Sequence, residues 1–390
     1  MSLMARSLRI VLAGSIAAVP GHGGWTWALL QYVLGLRQLG HEVCWIDPIC
    51  AGALVPEGVP FTDSRNAAYF RQVAARFGVS ECSTLLLQGA SPDTIGRPLH
   101  ALLDIVSEAD LLINVSGVLR DTSLLGTARR RVYLDLDPGY TQLWQVVDAV
   151  DMRLDAHTDF VTIGPALPGG SIPTLGRHWI ATLQPVVLSE WPGMEAAAVE
   201  RDAFTTVANW RGYGSISFGG AFYGQKAHSF RQFFGLPSLA DERFELALSI
   251  HPDEARDLDA LRATGWRLLD PAVVAGTPDT YRRFVQGSRA ELAIAKSGYV
   301  VGPTGWFSDR SICYLASGRP VAAQDTGFAD YVPTGCGLLA FGDIEEAADA
   351  VRRIRCDYAL HARAARAIAE ECFESDYVLS RLLQQLGAAA

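Results

Sequence analysis

Lysine is nearly missing from this chain. Of 33 basic residues only Lys226 and Lys296 are lysines, and the other 31 are arginines. A coding bias towards arginine accounts for the scarcity. It also singles out two places where a compact ammonium on a flexible stem stands instead of a guanidinium, as phosphate binding often requires. Metal-type cysteine spacing is missing too. Seven cysteines, at positions 44, 50, 82, 313, 336, 356 and 372, form no CxxC pair and no Cys/His cluster, which excludes a zinc ribbon or a dithiol redox centre. The odd, unpatterned count reads as the reduced thiols of a cytoplasmic protein. No run of about 18 apolar residues occurs, and the apolar stretch at 8–13 is too short for a secretory signal, so no membrane span is expected. A net charge of −9 with no basic stripe argues against a nucleic-acid partner. Repeats and low-complexity tracts are absent.

What is present is a chain of 390 residues, 49% hydrophobic and 19% charged, enough to bury a large core and long enough for two domains. Short apolar runs alternate with amphipathic stretches. A strand at 8–13 ends at Gly14, a Gly/Pro loop follows, and 25–39 reads as a helix stopped by Gly40. The next strand is 41–46. Strand, glycine loop, helix and strand in that order mark a doubly wound α/β unit. The rhythm continues with helices at 67–77 and 98–109 and strands at 110–115, 131–135 and 158–163. Loops rich in Pro and Gly between 165 and 192 suit a hinge. Beyond it the alternation restarts with strands at 214–218, 244–250, 266–269, 290–295 and 319–323, and the tail is helical. The expected fold is α/β, with two Rossmann-like doubly wound domains facing a cleft. The division is 1–184, 185–372 and a terminal helix, 373–390, that packs back on the first domain.

Several loops have chemistry suited to an anion. Gly23 and Gly24 precede a helix, where backbone amides can approach a phosphate and the helix dipole favours it. The loop is not GxGxxG, so a dinucleotide dehydrogenase is disfavoured. His22 beside it is a candidate general base, because imidazole exchanges a proton near neutral pH. Gly220 stands in a second glycine loop running to Lys226. Lys296 follows an apolar strand, which places it at the mouth of a crevice. Trp306, Ser308, Asp309 and Arg310 lead into a short helix with Ser308 as N-cap, a further anion site. Asp325 and Thr326 follow the next strand, where a polar loop can hold sugar hydroxyls or form an Asx turn. Asp135 and Asp137 make a DxD triplet. Strand alternation buries one of them, so the triplet is a poor chelator and no metal site is expected.

Two segments carry a resemblance. Gly23-Gly24, the helix after it and Leu39-Gly-His-Glu-Val43 resemble the opening of GT-B glycosyltransferases. Ala316-Ser-Gly-Arg-Pro-Val321 through Gln324-Asp-Thr-Gly327, then Gly335 to Phe341, resemble their donor-domain end. The resemblance implies a nucleoside-diphosphate sugar as co-substrate, held mainly by the second domain, and a small-molecule acceptor held mainly by the first. It implies His22 and Asp325 as candidate catalytic groups, with no metal or other cofactor. One departure matters. Members of the family carry a glutamate five residues before the Gly-x-Pro, which clasps the donor ribose. Here that position is Cys313, and its partner position in the E-x7-E pattern is Gly305. Asp309, one turn from Cys313, is the candidate substitute. A GT-B-fold sugar-nucleotide epimerase and a non-catalytic sugar-nucleotide-binding protein are the alternative readings. The oligomeric state, the donor base and sugar, and the acceptor are not legible in the sequence.

Overall fold

The computed structural model describes residues 7–388; positions 1–6 and 389–390, the outer ends of the expected first domain and terminal helix, lie outside the described residues. The first sheet has eight strands: β1 (Arg9–Ala13), β2 (Glu42–Cys50), β3 (Ser83–Gln88), β4 (Asp93–Ile95), β5 (Leu111–Val115), β6 (Arg131–Asp135), β7 (Asp159–Thr162) and β8 (Trp179–Ala181). Their order is β4-β3-β2-β1-β5-β6-β7-β8, parallel throughout except where β4 runs against β3. The second half begins with β9 (Arg201–Asn209) and a hairpin of β10 (Ile216–Phe218) and β11 (Ala221–Tyr223). It continues with β12 (Phe244–Ser249), β13 (Arg267–Leu269), β14 (Ser288–Ala293), β15 (Val321–Gln324) and β16 (Leu338–Phe341). The second sheet is wholly parallel, in the order β13-β12-β9-β14-β15-β16. The central strands are almost completely buried, as parallel strands covered by helices on both faces must be. Each sheet reverses its winding once, at β1/β5 and at β9/β14. Ligands of such sheets bind beyond the carboxyl ends of the strands at those points.

One strand falls elsewhere than the sequence reading places it. The first core strand of the second half is β9, not 214–218, which lies in the hairpin. The buried run Ala203-Phe-Thr-Thr206, followed by the half-buried Val207, is rich in β-branched residues, but Arg201 and Asp202 at its head mask it.

The two halves are joined closely. The helix Gly23–Gln38 of the first half lies against the helix Pro278–Gly287 of the second. Trp27 donates its indole N–H to the Pro278 carbonyl at 2.9 Å, and Arg76 forms a two-point ion pair with Asp279. The two glycines that open the helix make this approach possible. A Cβ on Gly23 would lie 2.2 Å from the Thr277 carbonyl oxygen, and one on Gly24 would lie 2.8 Å from the Tyr281 ring. Gly23→Ala is therefore expected to destabilise the domain contact by about 1–3 kcal/mol, the usual scale of overpacking. The readouts are a lower melting temperature and a larger radius of gyration, with both domains keeping their secondary structure. A variant that melts and scatters like the wild type would exclude this close approach.

The helix Ser375–Gln385 returns to the first half. Gly35 faces Leu379 and Ser375 so closely that a Cβ there would come within 3 Å of both, and Val186 bridges to Glu374 just before the helix starts. Leu379, Leu382 and Leu383 belong to one apolar cluster with Leu30 and Val33.

Candidate functional site

A cleft of about 810 Å³ opens between the carboxyl ends of the two sheets. Its floor on the first side is the loop after β1. Asp47, fully buried at the middle of β2, pins that loop by accepting hydrogen bonds from Ser15 Oγ at 2.8 Å and from the amides of Ile16 and Ala17 at 3.1 Å. Burial pushes its carboxyl up to about 7, against those three bonds. The pinned loop delivers His22, Gly23 and Gly24 to the cleft wall. His22 is exposed, heads the helix Gly23–Gln38, and its ring caps nothing.

The second side carries the cations. Lys226 opens the helix Lys226–Phe230 and lines the cleft. Its ammonium donates to the carbonyl of Ile294. Burial, together with the nearby Arg310 and Lys296 charges, holds it well below the ordinary lysine range. Ser308, Asp309 and Arg310 head the helix Asp309–Ala316 and also face the cleft. The Ser308 hydroxyl makes no cap bond; the Asp309 carboxylate meets the first-turn amides of Asp309 and Arg310 instead, and an anion bound at this helix end takes its place there. Arg310 is already committed: it pairs with the fully buried Glu291 and donates to the Val207 carbonyl at 3.0 Å. Asp309 is half-buried, and burial raises its carboxyl, while Arg310 opposes the shift. Cys313 is only 4% exposed and does not line the cleft. The position of the missing ribose glutamate therefore points into the core.

Lys296 also reaches the cleft, but it is not idle there. Its ammonium pairs with Asp137 at 3.4 Å across the domain boundary, donates to the Tyr213 hydroxyl, and sits 3.9 Å from the Tyr213 ring centre. The Tyr140 and Tyr299 rings complete a cage around it, each 5.4 Å away. Asp137 takes two further bonds, from Tyr213 at 2.7 Å and Tyr299 at 2.6 Å. Burial opposes its charge, yet the Lys296 ammonium and the two phenols outweigh burial and hold its carboxyl below the usual range. Trp306 stacks on Tyr299 with ring centres 4.2 Å apart.

Three expected site residues stand outside the cleft. Gly220 lies in the exposed turn between β10 and β11, where positive φ at Gly219 and Gly220 suits a tight hairpin. Asp325 accepts from the Gly327 amide at 2.9 Å, an Asx turn. Thr326 is buried; its hydroxyl and carbonyl hold the loop of Trp306 and Gly305 from behind. Asp135 is the buried member of the DxD pair. It is fully occupied by Thr141, Gln142, Thr162 and the Asp137 amide, and burial pushes it up to about 6. Among the described residues no three His, Cys, Asp or Glu side chains converge as a metal site would need, and no helix is long and apolar enough to cross a membrane. Tyr140, Tyr213 and Tyr299 were missed as site residues because their partners come from the other half of the chain.

No protein-family model matches the sequence, and no curated protein matches it. Solved structures do match in three dimensions along nearly the whole chain. Anabaena HepE in complex with UDP-glucose matches at a TM-score of 0.61 and 13% identity, covering 98% of this chain and 100% of that one. An alpha-glucosyltransferase in complex with UDP and a 13-mer DNA matches at 0.56 and 12% identity, over 98% and 99% of the two chains. Sucrose-phosphate synthase from Thermosynechococcus elongatus matches at 0.56 and 13% identity, over 97% and 99%. The likeness establishes the fold: two Rossmann-like domains facing a cleft, the GT-B arrangement.

Proposed function

We propose that this protein is a glycosyltransferase that moves a sugar from a nucleoside-diphosphate donor to a small-molecule acceptor without a metal ion. The observation that carries the reading is the second-domain wall of the cleft, where the Lys226 ammonium and the N-terminus of the helix Asp309–Ala316 face one space. A departing nucleoside diphosphate gathers negative charge as the glycosidic bond breaks. Donors fixed in place before the reaction stabilise that charge without reorganising. The first-domain wall supplies His22 to take the proton of the attacking acceptor hydroxyl. The UDP and UDP-glucose held by structural neighbours support a ligand of this class, and the negative net charge supports a small acceptor over a nucleic acid.

Thermal melting with a panel of nucleoside diphosphates tests the reading. A ligand at about 100 times its Kd is expected to add roughly 2.7 kcal/mol of stability, with or without EDTA. Absence of stabilisation by every nucleoside diphosphate overturns the assignment. Stabilisation lost in EDTA and restored by Mg²⁺ or Mn²⁺ overturns its metal-free part.

A further inference from the structure

The three groups bonded to Asp137 all meet the same oxygen. Lys296 Nζ, Tyr213 OH and Tyr299 OH each point at Oδ1. Oδ2 accepts no hydrogen bond from any described residue and is not enclosed by protein, and the Asp137 side chain keeps 30% of its surface exposed where it lines the cleft. The backbone around it is fixed as well: its amide donates to Asp135 at 3.0 Å and its carbonyl accepts from Thr141. A carboxylate held on one oxygen by three groups of the opposite domain has its second oxygen aimed in advance, so a ligand meeting it loses little additional freedom.

We propose that Asp137 is a substrate-binding residue whose Oδ2 accepts a hydrogen bond from a hydroxyl of the sugar attached to the diphosphate. The inference rests on the nucleotide-sugar reading above and adds a first-domain residue to its donor site. The chemistry selects the ligand group. An ionised carboxylate oxygen without a donor repels a phosphate and matches an O–H, and a hydrogen bond to a charged acceptor is stronger than a neutral one. The position sets Asp137 beside the diphosphate's own site. Lys296 touches Asp137 on one side and lies within electrostatic reach of Lys226 on the other. A diphosphate placed at Lys226 and the Asp309–Ala316 helix presents one of its two hydroxyl-bearing substituents, ribose or sugar, to Asp137, and the proposal assigns that place to the sugar. Trp306, stacked on the Tyr299 that holds the carboxylate, offers an aromatic edge beside the same space.

The test is a ratio. The affinities of UDP and GDP are measured by calorimetry beside those of UDP-glucose, UDP-galactose, UDP-N-acetylglucosamine and GDP-mannose, for the wild type and for Asp137→Asn. The wild type is expected to bind at least one sugar nucleotide more tightly than the bare nucleotide. Asp137→Asn, which puts an N–H₂ donor where Oδ2 accepts, is expected to reduce that gain about tenfold or more, the usual scale for a hydrogen bond to a charged group. Tyr299→Phe retains the carboxylate and removes one of its holders; it is expected to reduce the same gain by less, and it serves if the Asn variant does not fold. An unchanged ratio, equal weakening of nucleotide and sugar nucleotide, or a wild type that gains nothing from any sugar overturns the proposal while leaving nucleotide binding standing. A wild type that binds no nucleotide at all overturns the nucleotide-sugar reading and this inference with it.

Discussion

Replacing His22 by alanine is expected to lower sugar transfer about 10²–10⁴-fold, the usual contribution of a positioned general base, while nucleoside-diphosphate affinity and melting temperature stay as they are. The expectation joins three observations. His22 is exposed, its ring caps nothing, and it stands on the cleft wall opposite the cations of the second domain. A side chain that holds nothing in the fold is removed at little structural cost, within about 0.5 kcal/mol for ordinary surface positions. What disappears is the proton acceptor beside the attacking hydroxyl. Near-normal turnover in His22→Ala removes the role and leaves Asp137 as the next first-domain group to test, because Asp325 is turned into its own loop.

The second large effect is expected at Lys226. Lys226→Met should weaken nucleoside-diphosphate binding by roughly 1.5–3 kcal/mol and lower turnover by a further 10²–10³, the scale for losing one preorganised donor to a developing charge. The free protein should change little in stability, because losing the bond to the Ile294 carbonyl and the attraction of Glu291 is offset by relief of the repulsion from Arg310 and Lys296 and of the cost of burying a charge. Lys296→Ala should cost less affinity, since a diphosphate must first draw that ammonium away from Asp137. A pH dependence follows from the same environment. The folded pKa of Lys226 lies well below its ordinary value of 10.5, so the free protein gives up this proton at a lower pH than an ordinary lysine does. A bound diphosphate needs the proton and holds it. Affinity should fall as pH rises through the Lys226 titration of the free protein, and binding there should take up a proton. Calorimetry in two buffers of different ionisation enthalpy reads the uptake directly. Equal heats in both, or a Met variant with the same pH dependence as wild type, excludes Lys226 as the titrating ligand.

Much of this architecture is local and was therefore legible in the sequence. The glycine loop and helix after β1 read as a helix N-terminus because their signals lie within a few residues of each other. Strand alternation placed one aspartate of the DxD pair inside, and Asp135 is that residue. The scarcity of lysine marked two positions, and both face the cleft. The rest depends on distance along the chain. Asp137 meets Tyr213, Lys296 and Tyr299 from 76, 159 and 162 residues away, and no periodicity encodes that convergence. Gly23 and Gly24 read as a phosphate loop, whereas part of their necessity comes from Thr277 and Tyr281 of the other domain pressing against them. β9 escaped notice because its charged head broke the apolar pattern. The hairpin Ile216–Tyr223 took its place because a glycine pair after a short apolar run resembles the exit of a core strand.

The return of the helix Ser375–Gln385 to the first domain has a consequence for synthesis. The last strand of the first sheet ends at Ala181, and roughly 190 residues separate it from this helix. At about 5–20 residues per second the ribosome needs some 10–40 s to make them. Through that interval the face of the Gly23–Gln38 helix that receives Leu379 and Leu382 has no cover, and Gly35 leaves a groove where Ser375 will sit. The nascent first domain thus carries an apolar stripe that only the tail of its own chain can close. Ribosome-bound chains halted before Ser375 should consequently recruit holdase chaperones to that stripe, and chains lengthened by a flexible linker that carries Leu386 past the exit tunnel should not.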